Sequence, residues 1–183
     1  GMISSVDRSM PDKVVSNRKI KGLMSGDELV GIDYRPKDGK LYAVGLQGNL
    51  YTLNPNNGEA SFLRKLIADP SDTTDGNASF TQIMGDANLI TVNFNPAADR
   101  LRVISNTGQN LRINVDTGAT ITDGTINLAT GTAAVVAGAY TNAFAGTGST
   151  KLYSIDQNSD RIYLQNANAG TLGNSTALGA DIN

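Results

Sequence analysis

RLRVISNTGQNLRINVDTGA, residues 100–119, repeats with changed letters a phrase that stands at residues 40–60, KLYAVGLQGNLYTLNPNNGEA. In both phrases apolar and polar residues alternate, and short turns rich in Gly, Asn and Asp separate the alternating runs. Alternation with a period of two predicts strands that pack on one face. Gly and Asn supply the positive φ angles of tight turns, so neighbouring strands are predicted to pair antiparallel. A longer third version of the phrase lies within residues 135–171.

The three copies align over residues 29–60, 89–120 and 135–171. An aromatic residue takes the same place in each copy, and so does a leucine further along; these positions are Tyr34, Phe94 and Tyr140, then Leu41, Leu101 and Leu152. In the first copy we predict strands near 29–35, 40–46, 49–54 and 59–66, with Val30, Ile32 and Tyr34 on one face. Each copy is therefore predicted to form a meander of four short antiparallel strands.

A four-stranded meander that recurs every ~45–60 residues is typical of β-propeller blades. We predict an all-β, β-propeller-like array of about three and a half four-stranded antiparallel blades in a single domain, residues 1–183. The predicted repeats are 3–22, which is a half blade of two outer strands, then 29–66, 89–126 and 135–179. An incomplete ring exposes an apolar face, which predicts closure by oligomerisation or membership of a larger propeller. A flattened sandwich that closes on itself is the alternative architecture.

The composition excludes several classes of function. The chain has a net charge of −2, no cysteine and no histidine. This charge provides no basic surface for nucleic acid, and no apolar run reaches the ~18 residues that a membrane span needs. Without cysteine and histidine there is no thiolate nucleophile, no Ser–His–Asp triad and no imidazole metal ligand. We therefore predict no catalytic residues and no cofactor.

Polar residues near the ends of the first strands form the candidate metal site. Asp33, Asn93, Asn95 and Asn142 are predicted to converge at one mouth of a central channel. Carboxylate and amide oxygens suit Ca²⁺, and a channel calcium that polarises a carbonyl group would support a lactonase-type hydrolase. The competing interpretation is that these side chains close Asx turns through their own backbone, which is the commoner role of Asp and Asn at strand ends. The sequence favours turn closure and retains the calcium-dependent hydrolase as the alternative function.

The loop at residues 68–80 is a second place where calcium could bind. It contains Asp69, Asp72 and Asp75. Their spacing does not match an EF-hand loop and no Glu stands at its closing position, so a solvated polar loop is the favoured interpretation.

Three arginines, Arg100, Arg102 and Arg112, are predicted to lie on two neighbouring strands. They could form a site for a small anion or a carbohydrate acid. The favoured interpretation is a solvated face in which these arginines pair with Asp99 and Asp116.

The segments LVGIDYRPKDGKLYAVG (29–45) and VNFNPAADRLRVISNTGQNLRINVDTG (92–118) resemble the bacterial domain-of-unknown-function family 4394. The resemblance extends over roughly residues 5–180, and NPAADRLRVISNTGQNLR (95–112) is its most specific phrase. It implies a propeller-like fold and a place in exported proteins, where members of that family often occur. Members of the family usually extend further at both ends. The resemblance therefore does not decide whether one chain closes the ring by itself. The family has no assigned reaction, so the resemblance implies no activity and no catalytic residues.

Together these observations predict a non-enzymatic binding or assembly module of a bacterial, exported protein that works outside the cytoplasm. The expected partners are a second copy of the chain or the remainder of a larger propeller, with a protein or carbohydrate ligand. Nucleic-acid binding and membrane insertion are not expected.

Overall fold

The computed structural model describes residues 1–73 and 79–179. These residues form β strands, loops and one turn of 3₁₀ helix at Ala87–Leu89. The all-β class predicted from the sequence is confirmed, because the described strands assemble into four sheets whose main pairings are antiparallel.

The strands follow the chain in order, one sheet after another. An N-terminal hairpin pairs β1 (Met2–Asp7) with β2 (Met10–Lys19). The first sheet contains β3 (Leu29–Tyr34), β4 (Leu41–Gly45), β5 (Asn49–Asn54) and β6 (Glu59–Lys65). The second sheet contains β7 (Ile67–Ala68), which pairs in parallel at its edge, and β8 (Ile90–Asn95), β9 (Arg100–Ser105), β10 (Asn110–Ile113) and β11 (Ala119–Thr122). The third sheet contains β12 (Val135–Tyr140), β13 (Leu152–Asp156), β14 (Arg161–Gln165) and β15 (Leu172–Ala177).

The same turn, an Asn-x-x-x-Gly sequence, joins the last two strands of each of the three sheets: β5 to β6, β10 to β11 and β14 to β15. The turns lie at 54–58, 114–118 and 166–170. In each turn the glycine N–H donates to the asparagine carbonyl, at 2.8, 2.7 and 2.9 Å. The glycines have φ angles of 74°, 82° and 73°, a region that favours a residue without Cβ. The recurring Gly of the sequence repeat is therefore a requirement of this turn.

The same glycines also bind the linkers that connect the sheets. Lys21, Ile67 and Asn127 donate their backbone N–H groups to the carbonyls of Gly58, Gly118 and Gly170, each at 3.0 Å. The linker that leaves one element thus runs in parallel beside the outermost strand of the next sheet. A Cβ atom on Gly118 would lie 2.7 Å from the Lys65 carbonyl oxygen, so the close approach of the linker also requires glycine. The sequence analysis does not predict this parallel pairing.

The first and second sheets stack face to face, with their first strands side by side. Phe94 on β8 points into the first sheet and meets Tyr42 edge to face, with ring centroids 5.4 Å apart. Val92 fills the space beside Gly31, where an added Cβ would lie 2.5 Å from the Val92 Cγ2 atom. This interface contains the largest cluster of buried apolar side chains. Because burying one such side chain contributes about 1.5–3 kcal/mol, it dominates the apolar stabilisation of the stack.

The interface between the second and third sheets has a smaller apolar cluster that includes Ile104, Leu152 and Tyr163. Charged and amide side chains, Arg102 and Asn110 among them, are buried in the same layer. The second sheet is therefore apolar on one face and largely polar on the other, and both faces are covered.

Val30 faces away from the side that the strict alternation predicts. A bulge between Leu29 and Gly31 shifts the register of β3 against β4. An extra residue reverses the alternation on one side of a bulge. Val30 consequently joins the cluster shared with the second sheet, whereas Ile32 and Tyr34 face the hairpin side.

The N-terminal hairpin leaves part of the first sheet uncovered. Its residues Ile3 and Ile20 pack on the apolar cluster of β4, β5 and β6. Ile32 and Tyr34 on β3 stay 42% and 54% exposed. Their counterparts in the second sheet, Val92 and Phe94, are 8% and 1% exposed. The difference arises because the hairpin has two strands, and within residues 1–73 and 79–179 no strand lies beside β3 in the place that β3 itself takes beside β8.

Candidate functional site

The predicted channel residues Asp33 and Asn93 hold neighbouring sheets together. Asp33 Oδ2 accepts the backbone N–H of Phe94 at 2.7 Å and the side-chain amide of Asn93 at 3.0 Å. Asn93 Oδ1 in turn accepts the backbone N–H of Tyr140 at 2.7 Å. Each of these side chains stands just before the aromatic residue near the end of a first strand, and each binds the N–H of the corresponding aromatic residue on the next sheet.

This series of hydrogen bonds has a beginning and an end within the chain. At its start, the N–H of Tyr34 donates to Oδ1 of its own neighbour, Asp33, at 2.9 Å. At its end, the third copy has Ala139 in the corresponding place, and an alanine side chain cannot accept a hydrogen bond. Burial raises the pKa of Asp33 above its usual range, although the Phe94 and Tyr34 amides act in the opposite direction. The carboxyl group is thus committed to the contact between sheets.

Asn95 and Asn142, the other two predicted metal ligands, act within their own turns. Asn95 Oδ1 accepts the N–H groups of Ala97 at 3.0 Å and Ala98 at 2.9 Å. Asn142 has a φ of 56°, and its Nδ2 donates to the Ser149 carbonyl at 3.0 Å. Residues 1–73 and 79–179 hold no group of three or more acidic side chains arranged to bind a metal ion. The structure brings Asp33 and Asn93 together, and a calcium centre built from all four residues stays a prediction.

The aspartates of the 68–80 loop make local contacts where they are described. Asp69 Oδ1 accepts from the N–H and the hydroxyl of Ser71, at 2.9 and 2.7 Å. Asp72 Oδ2 accepts the N–H of Thr122 at 3.0 Å, which ties the loop to the second sheet. Asp75 lies outside the described residues.

Arg35 clamps the first sheet to the second, and its side chain is buried. Its Nε and Nη2 atoms donate to the two oxygens of Asp99, both at 2.7 Å. Its Nη1 and Nη2 atoms donate to the two oxygens of Asp116, both at 2.8 Å. Such paired contacts between a guanidinium and a carboxylate are among the strongest in proteins. The guanidinium lowers the pKa of Asp99 to about 2 and also lowers the pKa of Asp116.

The partners of Asp99 and Asp116 differ from those suggested by the sequence. The favoured interpretation paired both carboxylates with Arg100, Arg102 and Arg112, yet both bind Arg35, which lies 64 and 81 residues away in sequence. Arg102 and Arg112 do not form a solvated face with them. Instead they share Asp123, a buried carboxylate that the sequence analysis did not single out.

Arg102 is the centre of the contact between the second and third sheets. Its Nη1 donates to Asp123 and, at 2.9 Å, to Asn110 Oδ1. Its Nη2 donates to Asn168 Oδ1 on the third sheet at 3.0 Å, and its Nε donates to the Tyr140 hydroxyl at 3.3 Å. Arg112 donates to both oxygens of Asp123 at 3.0 Å, and this carboxylate raises the pKa of Arg112.

One position of the Asn-x-x-x-Gly turn receives an arginine at every contact between consecutive elements. Arg18 of the hairpin donates to the Asn56 carbonyl at 3.0 Å. Arg35 pairs with Asp116, and Arg102 with Asn168, the residues that align with Asn56 in the next two copies. Aligning the third residue of the turn over the three copies was therefore the sequence signal that could have located these contacts.

A cavity of about 220 Å³ lies beside Arg102, between the second and third sheets. The polar residues that line it are Asn95, Arg100, Arg102, Arg112, Tyr140 and Asn168. No carboxylate of the described residues lines this cavity. It combines three guanidinium groups with two amides and a phenol, and so it offers mainly hydrogen-bond donors.

Comparisons with known proteins give a family and two solved structures. The family model described as Domain of unknown function (DUF4394) matches residues 2–183. None of the curated proteins matches the chain. The structure of U3-55K is similar at 13% identity and a TM-score of 0.48, over 88% of this chain and 42% of that chain. The crystal structure of BamB from Moraxella catarrhalis is similar at 16% identity and a TM-score of 0.34, over 100% of this chain and 45% of that chain.

The chain therefore spans less than half the length of either of these two structures. In the ranges that the structure describes, no helical segment has the length and apolarity needed to cross a membrane.

Replacing Arg35 by Met is expected to lower the free energy of unfolding by about 2 kcal/mol at neutral pH, because Asp99 and Asp116 lose the charged donors that they bind. The clamp also predicts an acid dependence. Since the folded pKa of Asp99 is about 2, below its unfolded value, its contribution is complete above about pH 4 and disappears as the pH falls toward 2. Chemical denaturation of both proteins over this range measures both effects.

The acid dependence of unfolding should be weaker in Arg35→Met than in the unchanged chain, and comparing the two cancels the opposite contribution of Asp33. Lys37→Met is the control, because this exposed lysine contacts the same carboxylate and should contribute little. Equal stability and equal acid dependence in Arg35→Met and the unchanged chain would contradict the clamp.

Calcium at millimolar concentration is expected to leave the melting temperature unchanged, because both oxygens of Asp33 already accept protein N–H groups. Asp33→Ala should lower the melting temperature by several degrees without calcium, since Phe94 and Asn93 lose their acceptor. Asp12→Ala, in the exposed hairpin, is the control. A clear rise in melting temperature with calcium that Asp33→Ala abolishes would instead support the predicted calcium centre.

Proposed function

The chain belongs to the family described as Domain of unknown function (DUF4394), and we propose that it is a non-enzymatic, β-propeller-like assembly module. The observation that carries the proposal is the uncovered face of β3. Ile32 and Tyr34 are exposed at positions whose counterparts are buried in the second sheet, and Tyr140, the third counterpart of Tyr34, is 7% exposed. A face that is buried in two of three similar units is an interaction surface in the third.

The hairpin supplies the other half of this surface. In the described residues β1 pairs with β2 alone, so its second edge has free backbone donors and acceptors. The apolar side chains of Met2, Val6 and Val14 are about half exposed. A free edge strand with exposed apolar residues is a template for pairing with another chain. A cavity of about 610 Å³ is lined by residues of β1 and β3. We infer that further strands added to the hairpin beside β1 would occupy it.

We commit to a second copy of the chain as the occupant. Pairing of β1 with β1 of another copy would make one sheet of four strands, the number found in the first and third sheets. The same edge would serve both partners, as two-fold symmetric dimers require. The hairpin strands contributed by each copy would cover Ile32 and Tyr34 of the other.

Location outside the cytoplasm is part of the same proposal. It is supported by the family, whose members often occur in exported bacterial proteins. Fractionation of bacterial cells that express the native gene would place the protein with the exported fraction, and recovery with cytoplasmic marker enzymes would contradict export.

The test of assembly is light scattering coupled to size-exclusion chromatography. We expect a mass of about twice the chain mass of 19.2 kDa. Val6→Lys should give the monomer mass with unchanged circular dichroism, because a lysine on an edge strand opposes pairing of strands. Phe144→Lys is the matched control, since this residue is also exposed but lies on the β12–β13 loop. A monomeric unchanged chain, or a Val6→Lys variant that remains dimeric, would contradict self-assembly.

A further inference from the structure

We propose that the arginine-lined cavity between the second and third sheets binds a small sugar acid, with the carboxylate of the ligand among the guanidinium groups. This site is separate from the assembly surface of β1 and β3, and it stands or falls independently of self-assembly.

The proposal starts from a comparison of the two inter-sheet contacts. Between the first and second sheets, the guanidinium of Arg35 occupies this position and meets two carboxylates. One repeat later each of these residues is replaced by a shorter or uncharged one: Arg35 by Asn95, Asp99 by Thr150 and Asp116 by Asn168. Asn95 is shorter than Arg35, Arg102 donates to Asn168 in its place, and a cavity of about 220 Å³ lies beside both residues.

The charges around this cavity are opposite to those of the clamp. At the clamp one arginine faces Asp38, Asp99 and Asp116. At the cavity Arg100, Arg102 and Arg112 stand together, and Arg102 and Arg112 share Asp123, which lies behind the lining. Asp69 and Asp72 are near enough to interact with Arg112 but do not line the cavity. The lining itself is cationic, and the planar guanidinium suits a carboxylate best.

Donors are still free to bind such a ligand. Arg100 uses its Nη1 on the carbonyls of Ala98 and Asp99, and its other nitrogens have no partner in the described residues. Arg112 donates from Nε and Nη2 to Asp123, and its Nη1 has no partner in the described residues. The cavity therefore presents fixed cations, held in place by buried contacts, together with unused N–H groups. Preorganised donors of this kind lower the cost of binding.

The adjoining cavity indicates that the anion also carries hydroxyl groups. It has a volume of about 470 Å³, shares Asn95 and Tyr140 with the arginine cavity, and is also lined by Thr150, Asn166 and Gln165. Asn95, Thr150 and Asn166 line this cavity with amide and hydroxyl groups that can bind sugar hydroxyls. A hydroxylated carboxylate would therefore fill both cavities.

The experiment is isothermal titration calorimetry of the full chain with D-glucuronate, D-glucose and inorganic sulfate. We expect saturable binding of glucuronate, with glucose and sulfate at least about tenfold weaker, because only glucuronate offers both the carboxylate and the hydroxyls. Asn95→Asp should weaken glucuronate binding about tenfold or more, since it places a negative charge in the cavity. It keeps the side-chain oxygen that caps Ala97 and Ala98, so the fold should be retained.

Asn54→Asp is the matched control, because Asn54 also caps a turn through its side chain but lies outside both cavities. It makes the same change of charge and should bind glucuronate like the unchanged chain. Arg100→Gln, which loses contacts only to carbonyls of its own turn, should also weaken binding. The proposal is overturned if glucuronate fails to bind, if glucose or sulfate binds equally well, or if Asn95→Asp and Asn54→Asp have the same effect.

Discussion

A backbone N–H that finds a side-chain acceptor on the neighbouring sheet sets the spacing of the whole stack. Asp33 accepts from Phe94, and Asn93 accepts from Tyr140. These groups lie on the free edges of first strands, where no further strand pairs with them, and an unpaired buried N–H would be costly. The bonds hold the first strands close enough that Val92 needs Gly31 beside it.

The two layers between the sheets are packed with different kinds of side chain. The first layer is apolar, with a charged clamp at its end in which Arg35 binds Asp99 and Asp116. The second layer has a smaller apolar cluster, more buried arginine and amide side chains, and a cavity beside Asn95, the counterpart of Arg35. Buried ion pairs contribute little net stability compared with an apolar core, because desolvation offsets the attraction between the charges. A polar layer with an open cavity is therefore better explained by recognition than by stability, which is why the proposed ligand site lies there.

Local sequence rules predicted the parts of the fold that depend on local physics. The period of two and the Gly- and Asn-rich turns gave the strands of the three repeats, because both signals act within a few residues. The bulge at Val30 was missed because the residue count of one strand contains no sign of its register against the next. The linker contacts at Lys21, Ile67 and Asn127 were missed because parallel pairing at a sheet edge uses backbone atoms that any sequence provides.

For the site residues too, the roles that depend on distant parts of the chain could not be predicted. Asp33 and Asn93, two of the four predicted metal ligands, are hydrogen-bonded to each other. Their acceptor role was not predicted, because it requires the backbone of the next sheet, more than 40 residues away in sequence. Asp123 gave no signal, because its contact with Arg102 and Arg112 depends on where the chain runs after β11, which its neighbours in sequence do not indicate. The choice of Arg35 as the partner of Asp99 and Asp116 was hidden for a similar reason, since charge alone does not distinguish it from three nearer arginines.

Amide hydrogen exchange, followed residue by residue by NMR under native conditions, tests the central claim most directly. The account predicts that the N–H groups of Phe94 and Tyr140 exchange with the slowest amides of the protein, because each is buried and bound to the neighbouring sheet. The N–H of Tyr34, which has only its own neighbouring carboxylate, should exchange much faster. Fast exchange at Phe94 and Tyr140, equal to that at Tyr34, would show that the sheets are not joined in this way.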